Sequence, residues 1–178
     1  MRIIGGQFKG RKFFPPAKNW PTRPTTDFAK EGLFNVLNNG FYFDEIKVLD
    51  LFGGTGNFSY EFISRGCEDV TYVDKFGGCT KFVEQTAETL AIQEHIRIVR
   101  SDVFKFIEKA TEKYDLIIAD PPYALPTLPT IPDKIFEQDL LAKEGWLIVE
   151  HSPHHDFQSH PRFDNQRSYS KTVFSIFK

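Results

Sequence analysis

Five short apolar runs recur along the chain, and helical stretches alternate with them. The predicted strands are Ile46–Asp50, Val70–Asp74, Ile96–Val99, Tyr114–Ala119 and Trp146–Val149. Helices are predicted between them, at about 57–65, 77–92, 103–112 and 132–142. A strand, a turn and a helix in repeated order indicate right-handed βαβ units. The chain is therefore predicted to be an α/β protein with a mostly parallel sheet and helices on both faces.

Two further segments flank this core. Residues 2–14 have the pattern of a small β-hairpin, and four prolines exclude regular structure in residues 15–25. A helix is predicted over about 27–39, and Gln166–Lys178 contains a final apolar strand. We therefore predict a basic hairpin and proline-rich loop, residues 1–25, outside the βαβ core, and one main domain, residues 26–178.

Composition narrows the class of protein. The chain has 178 residues, 40% of them hydrophobic and 26% charged, which is typical of a single folded domain. Its apolar runs are far shorter than the roughly 20 residues that cross a bilayer, and the N-terminus lacks the apolar region of a secretory signal. Two cysteines, Cys67 and Cys79, are too few for a disulfide framework. A cytoplasmic protein without membrane association is expected.

Charge is distributed unevenly. The chain carries a net charge of −2, but residues 1–30 hold seven basic residues and one acidic residue, whereas the remainder holds 15 basic and 23 acidic residues. A basic segment on an acidic body is a candidate contact for a phosphate backbone. A solvated terminus without a partner would have the same composition, so charge alone leaves both interpretations open.

Four acidic residues come at or just after the ends of predicted strands, namely Asp50, Asp74, Asp102 and Asp120. Because ligands bind at the carboxyl ends of strands in open α/β sheets, we expect these side chains to meet at one edge. Their charge suits a ligand that is cationic or rich in hydrogen-bond donors. Each acid alone could instead cap a helix.

A glycine-rich turn follows the first strand, in the sequence Asp-Leu-Phe-Gly-Gly-Thr-Gly, residues 50–56. Gly54 and Gly56 with Ser59 form a weak variant of the dinucleotide-binding fingerprint, and Asp74 follows where a ribose-binding acid is expected. These residues do not separate a nicotinamide cofactor from S-adenosylmethionine (SAM). Asp50, however, suits the ammonium and sulfonium charges of SAM better than a pyrophosphate.

The DPPY motif, Asp120-Pro121-Pro122-Tyr123, follows the fourth strand. Its two prolines stiffen the backbone and offer carbonyl acceptors without N–H donors. The Asp120 carboxylate and a proline carbonyl can accept both protons of an exocyclic amine, which orients the nitrogen lone pair towards a methyl group. Tyr123 offers a ring on which a flipped-out base could stack. The motif therefore predicts transfer of a methyl group to a planar amine.

The DPPY motif and the glycine turn together resemble the amino-group class of SAM-dependent nucleic-acid methyltransferases. The N-terminal motifs narrow the resemblance to the RsmD family, which methylates N2 of a guanine in small-subunit ribosomal RNA, and the likeness spans nearly the whole chain. This likeness is carried by Arg2-Ile3-Ile4-Gly5-Gly6, Lys9-Gly10-Arg11, Arg23-Pro24-Thr25, Glu31 and Phe34-Asn35-x-Leu37. The chain departs from the family at Phe28 and Lys30, where arginines are usual, at Gly54, where alanine is usual, and at Ser170, where glycine is usual.

The resemblance implies a Rossmann-like class I methyltransferase fold with a seven-stranded sheet, and it implies a role for each motif. Asp74 would bind the ribose hydroxyls of SAM, and Asp102 would accept from the adenine amine beside Val103. The methionine part would be bordered by Asp50, Phe52, Gly53, Gly54 and Gly56. Ribosomal RNA, alone or in an assembling small subunit, would contact Arg2, Lys9, Arg11, Lys12, Arg23 and Thr25. The protein is expected to be a monomer that uses no metal ion.

Other functions remain open at this point. A SAM-dependent enzyme could act on another planar amine, such as DNA adenine, DNA cytosine or a protein glutamine. A non-catalytic nucleotide-binding module and a nicotinamide oxidoreductase are further alternatives, but the latter leaves the two prolines unexplained. Histidines cluster after the fifth strand, and the prolines among them favour a polar surface loop over a metal site; they are His151, His154, His155 and His160.

Overall fold

Seven strands form one sheet in the computed structural model, which describes residues 1–16, 20 and 25–178. The spatial order is β3-β2-β1-β4-β5-β7-β6. β1 to β5 run parallel, and β7 is antiparallel to both β5 and β6. The strands are Lys47–Leu51 (β1), Asp69–Asp74 (β2), Ile96–Arg100 (β3), Tyr114–Ala119 (β4), Leu141–His151 (β5), Phe163–Tyr169 (β6) and Thr172–Phe177 (β7). The predicted α/β fold with a mostly parallel seven-stranded sheet is confirmed.

Helices cover both faces of the sheet. They are Asp27–Leu37 (α1), Asn57–Ser64 (α2), Gly77–Leu90 (α3), Val103–Lys109 (α4) and Ile131–Glu137 (α5). Alternate residues of a strand point to opposite faces, so Val48 packs in the cluster with α1, α2 and α3, whereas Leu49 packs in the cluster with α4 and α5. Among the described residues, no helix has the length and hydrophobicity that a membrane span requires.

The sequence placed the end of the last helix wrongly. The helix predicted over 132–142 ends at Glu137, and Asp139 has a φ of 53°, a left-handed conformation that stops a helix. β5 then begins at Leu141, five residues before the predicted strand. Leu141 pairs with Tyr114, and a register shift follows before the regular pairing with β4.

The C-terminal segment forms two strands rather than one. β6 lies at the edge of the sheet and is only partly buried, so it has no alternation of apolar and polar residues that would reveal it. It pairs with β7 through a tight turn between Tyr169 and Thr172. Ser170 occupies this turn with a φ of 59°, which explains why glycine is the usual residue there in the family that the sequence resembles.

The N-terminal arm, residues 1–14, contains one isolated bridge, between Arg2 and Lys12, instead of a full hairpin. It does not lie outside the core as expected, because Ile3 is buried in the cluster under α1 and α2. The proline-rich loop, including Arg23, falls largely outside the described residues. Deletion of the arm would therefore disturb the core as well as remove positive charge.

Candidate active site

A cavity of about 690 Å³ opens at the carboxyl ends of the strands. The strand order reverses between β1 and β4, and such a reversal creates the crevice in which open α/β sheets bind ligands. The structure brings most predicted site residues together on its wall, including Phe52, Gly53, Gly54, Asp74, Asp102, Val103, Asp120, Pro121, Pro122 and Tyr123. The glycine loop, the carboxylates of Asp74 and Asp102, and the DPPY motif therefore line one cavity.

Asp74 holds the glycine loop from the end of β2. One carboxylate oxygen accepts from the Gly54 N–H at 2.9 Å, and the other accepts from the Phe76 N–H at 2.8 Å. The Tyr72 hydroxyl donates to the Gly54 carbonyl at 2.6 Å. A side chain at Gly53 would collide with the Tyr72 ring, 2.3 Å from an added Cβ. The loop therefore needs glycine at this close approach, and its shape depends on β2.

Asp102 lies two residues after the end of β3 and caps α4. Its carboxylate accepts from the Lys105 N–H at 3.2 Å, so it acts as the helix cap that its position alone would predict. It also lines the cavity next to Val103 and Phe104, and the Phe104 ring packs edge-on against Phe52. This part of the cavity thus combines an acceptor with apolar walls that suit a planar heterocycle.

Asp50 lies behind the glycine loop rather than on the cavity wall. It is fully buried, and one carboxylate oxygen accepts from the Ser59 N–H at 3.1 Å and from the Ser59 hydroxyl at 2.6 Å. The predicted direct contact of Asp50 with a methionine group therefore does not match its position. Gly56, which begins α2 with a φ of 80°, is likewise absent from the cavity lining. Both residues shape the loop from beneath.

Burial raises the pKa of Asp50 to about 7. Because the folded state favours the protonated acid, this group lowers the free energy of unfolding as pH rises from about 4, its unfolded pKa, to about 7. The shift corresponds to a loss of up to about 4 kcal/mol. We expect Asp50→Asn to flatten the dependence of stability on pH between about 4 and 7, as measured by urea unfolding. An equally steep dependence in the variant would contradict this.

The DPPY motif begins where β4 ends. The Asp120 N–H donates to the Leu51 carbonyl at 3.1 Å, so β1 fixes the start of the motif. The Tyr123 hydroxyl donates to Glu150 at 2.8 Å and lies 3.4 Å from the Thr172 hydroxyl. Burial and the nearby carboxylates raise the pKa of the Tyr123 hydroxyl, which therefore stays protonated. The motif is thus anchored at both ends.

Thr25, predicted as an RNA contact, is buried instead. Its hydroxyl donates to Glu150 at 2.6 Å, and both residues line the cavity. Glu150 follows the fifth apolar run as acids end or follow the first, second and fourth runs, and this position is the signal in the sequence that points to it. The Glu150 carboxylate therefore lines the cavity beside the DPPY motif and accepts hydrogen bonds from the Thr25 and Tyr123 hydroxyls.

The N-terminal arm is fastened to α2 through Glu61, which accepts from the Ile4 and Gly5 N–H groups at 2.9 and 2.8 Å. Lys30 and Glu61 are fully buried and form an ion pair at 3.1 Å. Lys30 also donates to the Arg2 carbonyl at 2.7 Å, so this cation holds the arm and contacts no solvent. Burial lowers the pKa of Lys30.

The remaining basic residues of the arm are accessible. The Arg2 side chain is half-exposed and forms an ion pair with Asp27 at 3.0 Å. Lys9, Arg11 and Lys12 are exposed. Met1 contacts the glycine loop, because its sulfur accepts from the Thr55 hydroxyl at 3.3 Å. Three predicted RNA contacts are therefore on the surface of a segment that touches the glycine loop.

The histidines do not converge. His151 is buried within β5 and bonds to the Ser175 hydroxyl at 2.8 Å, so it is not part of a surface loop. The His151 and His155 rings lie 6.1 Å apart, whereas His160 contacts Asp133 at 3.2 Å. Over the residues that the structure describes, no three potential metal ligands form a group.

Comparison with known proteins adds a family to this geometry. The family model described as "Conserved hypothetical protein 95" matches residues 1–178. The chain belongs to this family. It is 35% identical to "Putative rRNA methyltransferase YlbH" of Bacillus subtilis, over 85% of this chain and 82% of that protein. It is 30% identical to ribosomal RNA small subunit methyltransferase D of Escherichia coli, over 84% of this chain and 74% of that protein.

Solved structures agree with the family. "Putative methyltransferase yhhF" of Escherichia coli superposes with a TM-score of 0.84 at 25% identity, covering 99% of this chain and 96% of that one. A SAM-dependent methyltransferase of Agrobacterium tumefaciens has the same fold, with a TM-score of 0.64 at 20% identity over 85% of this chain and 61% of that one. The predicted resemblance to RsmD and the class I methyltransferase fold are confirmed, and the protein is a methyltransferase.

Proposed function

We propose that this protein transfers a methyl group from SAM to the N2 amine of a guanine in small-subunit ribosomal RNA. The observation that supports this most is that the DPPY motif lines the same cavity as Asp74 and Asp102. Acceptors for a target amine therefore share a chamber with acceptors for adenosine. The rRNA methyltransferases among the relatives support RNA as the substrate, and one of them is named for the small subunit.

The cavity wall suits SAM. The Asp74 and Asp102 carboxylates can accept from ribose hydroxyls and from the adenine amine, and Val103 offers an apolar contact. Gly53 and Gly54 let a ligand approach the backbone. The cavity volume of about 690 Å³ is in the range of small-molecule sites. When bound, SAM supplies an electrophilic methyl group on a positively charged sulfur.

Asp74→Ala is expected to raise the dissociation constant of SAM about tenfold to hundredfold, because a charged hydrogen-bonding group is worth roughly 1.5–3 kcal/mol. Part of this loss comes from the glycine loop, which Asp74 also holds. Calorimetric titration of the wild type and the variant with SAM and with NAD measures the effect. Tighter binding of NAD than of SAM by the wild type would overturn the assignment of the cofactor.

The DPPY motif would act on the target amine by positioning it. Guanine N2 carries two protons, and the Asp120 carboxylate and the Pro121 carbonyl can each accept one. Held in this way, the nitrogen directs its lone pair at the methyl group, and proximity supplies much of the rate enhancement. Asp120 also stabilises the positive charge that develops on the nitrogen. The proton then leaves to Asp120 or to water.

RNA would approach through the exposed cations of the arm. Lys9, Arg11 and Lys12 are exposed on a segment of positive net charge, whereas the rest of the chain is negative overall, and the arm touches the glycine loop through Met1. Because bases are shielded within stacked RNA, the target guanine must be turned out to enter the cavity. Binding that depends on phosphate contacts weakens steeply as salt concentration rises.

Replacement of Lys9, Arg11 and Lys12 together by alanine is expected to weaken RNA binding and to reduce its salt dependence by roughly three phosphate contacts. SAM affinity should be unchanged, since none of the three lines the cavity. A filter-binding titration at several salt concentrations measures the RNA affinity and its salt dependence. The matched control replaces Lys109, Lys113 and Lys143, which are exposed and lie at the end of α4, just before β4 and near the start of β5. Equal losses in both triple variants would show that the arm has no special role.

The function itself is tested by methyl transfer from labelled SAM to three substrates. Unmethylated ribosomal RNA, duplex DNA and a glutamine-containing protein would be compared at equal concentrations, with Asp120→Asn protein as the blank. We expect incorporation into ribosomal RNA that depends on Asp120. Incorporation into DNA or protein alone would replace the proposed substrate with another planar amine.

A further inference from the structure

Glu150 lies at the end of β5, beside the strand that leads into the DPPY motif. Val149 pairs with Ala119, so Glu150, within β5, lies at the level of Asp120, which follows β4. The side chain is 3% exposed and lines the cavity. A buried carboxylate is costly unless polar groups bond to it. Its contacts therefore indicate what the charge is used for.

The first contact fixes Tyr123. The tyrosine hydroxyl donates to one oxygen of Glu150 at 2.8 Å and lies 3.4 Å from the Thr172 hydroxyl of β7. The backbone end of Tyr123 is held by the two prolines that precede it. Because the hydroxyl end is held as well, the ring is restrained at both ends. Its hydroxyl is engaged with the protein, and Tyr123 lines the cavity that the target base would enter.

The second contact brings in the segment before α1. The Thr25 hydroxyl donates to the other oxygen of Glu150 at 2.6 Å. Thr26, the next residue, accepts from the Ala29 N–H and caps α1. Glu150 thus connects the start of α1 to the DPPY motif across 125 residues of sequence.

A carboxylate is well suited to this connection because both of its oxygens accept hydrogen bonds. Glutamine has nearly the same shape, but its amide has one acceptor oxygen and one NH₂ donor. The amide oxygen could accept from Tyr123 or from Thr25, and the other hydroxyl would then have to accept from the amide NH₂ group. Hydrogen bonds to an ionised acceptor are also about twice as strong as those between neutral groups.

We propose that Glu150 is a positioning residue for methyl transfer: it orients the Tyr123 ring for the target base and joins that ring to the segment that precedes α1. This inference rests on the proposed function, since it assigns the ring to a base. Glu150 itself touches no reacting atom. Its effect on the rate should pass through the hydroxyl of Tyr123.

A double-mutant cycle tests this route. Single-turnover rates on ribosomal RNA are compared for the wild type, Glu150→Gln, Tyr123→Phe and the double variant. We expect Glu150→Gln to lower the rate about tenfold in the wild type but less than about threefold in Tyr123→Phe protein, because the bond that it weakens is already absent there. SAM affinity should be unchanged in every variant. Glu144→Gln, the same substitution at an exposed position of β5, is the control and should have no effect.

The outcomes separate the two claims. Equal losses from Glu150→Gln in both backgrounds, or no loss at all, overturn the positioning role while leaving the proposed function intact. No methyl transfer to RNA by the wild type overturns the proposed function and this inference with it. If circular dichroism shows that Glu150→Gln is unfolded, Glu150→Asp replaces it in the same cycle, since it keeps the charge and withdraws the carboxylate from both hydroxyls.

Discussion

Asp120→Asn is expected to lower the single-turnover rate of methyl transfer by a factor of about 10²–10³, the cost of losing one preorganised electrostatic contact in an active site. The amide keeps one acceptor oxygen, but its NH₂ group faces the donors of the target amine. It also removes the negative charge that stabilises the developing cation. SAM affinity should change little, because the acceptors proposed for adenosine are Asp74 and Asp102.

The rate is measured with enzyme in excess over ribosomal RNA, and SAM affinity is measured by calorimetry on the same protein. Asp139→Asn is a suitable control, since Asp139 is exposed and its φ of 53° is one that asparagine also adopts. A near wild-type rate for Asp120→Asn would mean that the DPPY motif is a structural turn. Loss of SAM binding would mean that Asp120 belongs to the cofactor part of the cavity.

Lys30→Met is expected to lower the free energy of unfolding by about 3 kcal/mol. Removing one partner of a buried ion pair typically costs 3–5 kcal/mol, because the other charge stays buried. The low end applies here, since Arg65 and the N–H groups of Ile4 and Gly5 still donate to Glu61. The loss should also loosen the arm, because Lys30 no longer bonds to the Arg2 carbonyl.

Urea unfolding followed by circular dichroism gives the free energies for Lys30→Met, Glu61→Gln and the double variant. The double variant should be less destabilised than the sum of the single variants, because it leaves no unpaired charge. Strict additivity, or a loss below about 1 kcal/mol for Lys30→Met, would show that the two side chains act independently. Lys30 stands where the RsmD family usually has an arginine. A large loss of stability in Lys30→Met would support a role for this position in stabilising the fold rather than in contacting RNA.

The parallel core could be predicted because each strand is a short buried apolar run bounded by turns. The same reasoning failed at β6, whose polar edge position removes the alternation, and at the start of β5, where the exposed residues Lys143 and Glu144 interrupt the apolar run. It also failed for the arm, since positive charge indicated solvent but did not reveal that Ile3 is buried. Periodicity reports burial within an element and carries no information on which distant element covers it.

The candidate site shows the same division. The DPPY motif and the acids after β2 and β3 were predicted from their positions after strands, and the structure brings them to one cavity. Asp50 follows the same rule but turns under the glycine loop to bond with Ser59. The Thr25–Glu150 contact joins residues 125 positions apart, and no local pattern encodes such a pair. The sequence therefore predicts which acids follow the strands, whereas the fold determines which of them line the cavity.

The most direct test of the proposed function is the identity of the methylated nucleoside. Unmethylated small-subunit ribosomal RNA is incubated with labelled SAM and the wild-type protein, digested to nucleosides and separated with standards. The proposed function predicts that the label elutes with N2-methylguanosine and is absent with Asp120→Asn protein. Label in a methylated adenosine or cytidine, or N2-methylguanosine formed equally by Asp120→Asn, would contradict it.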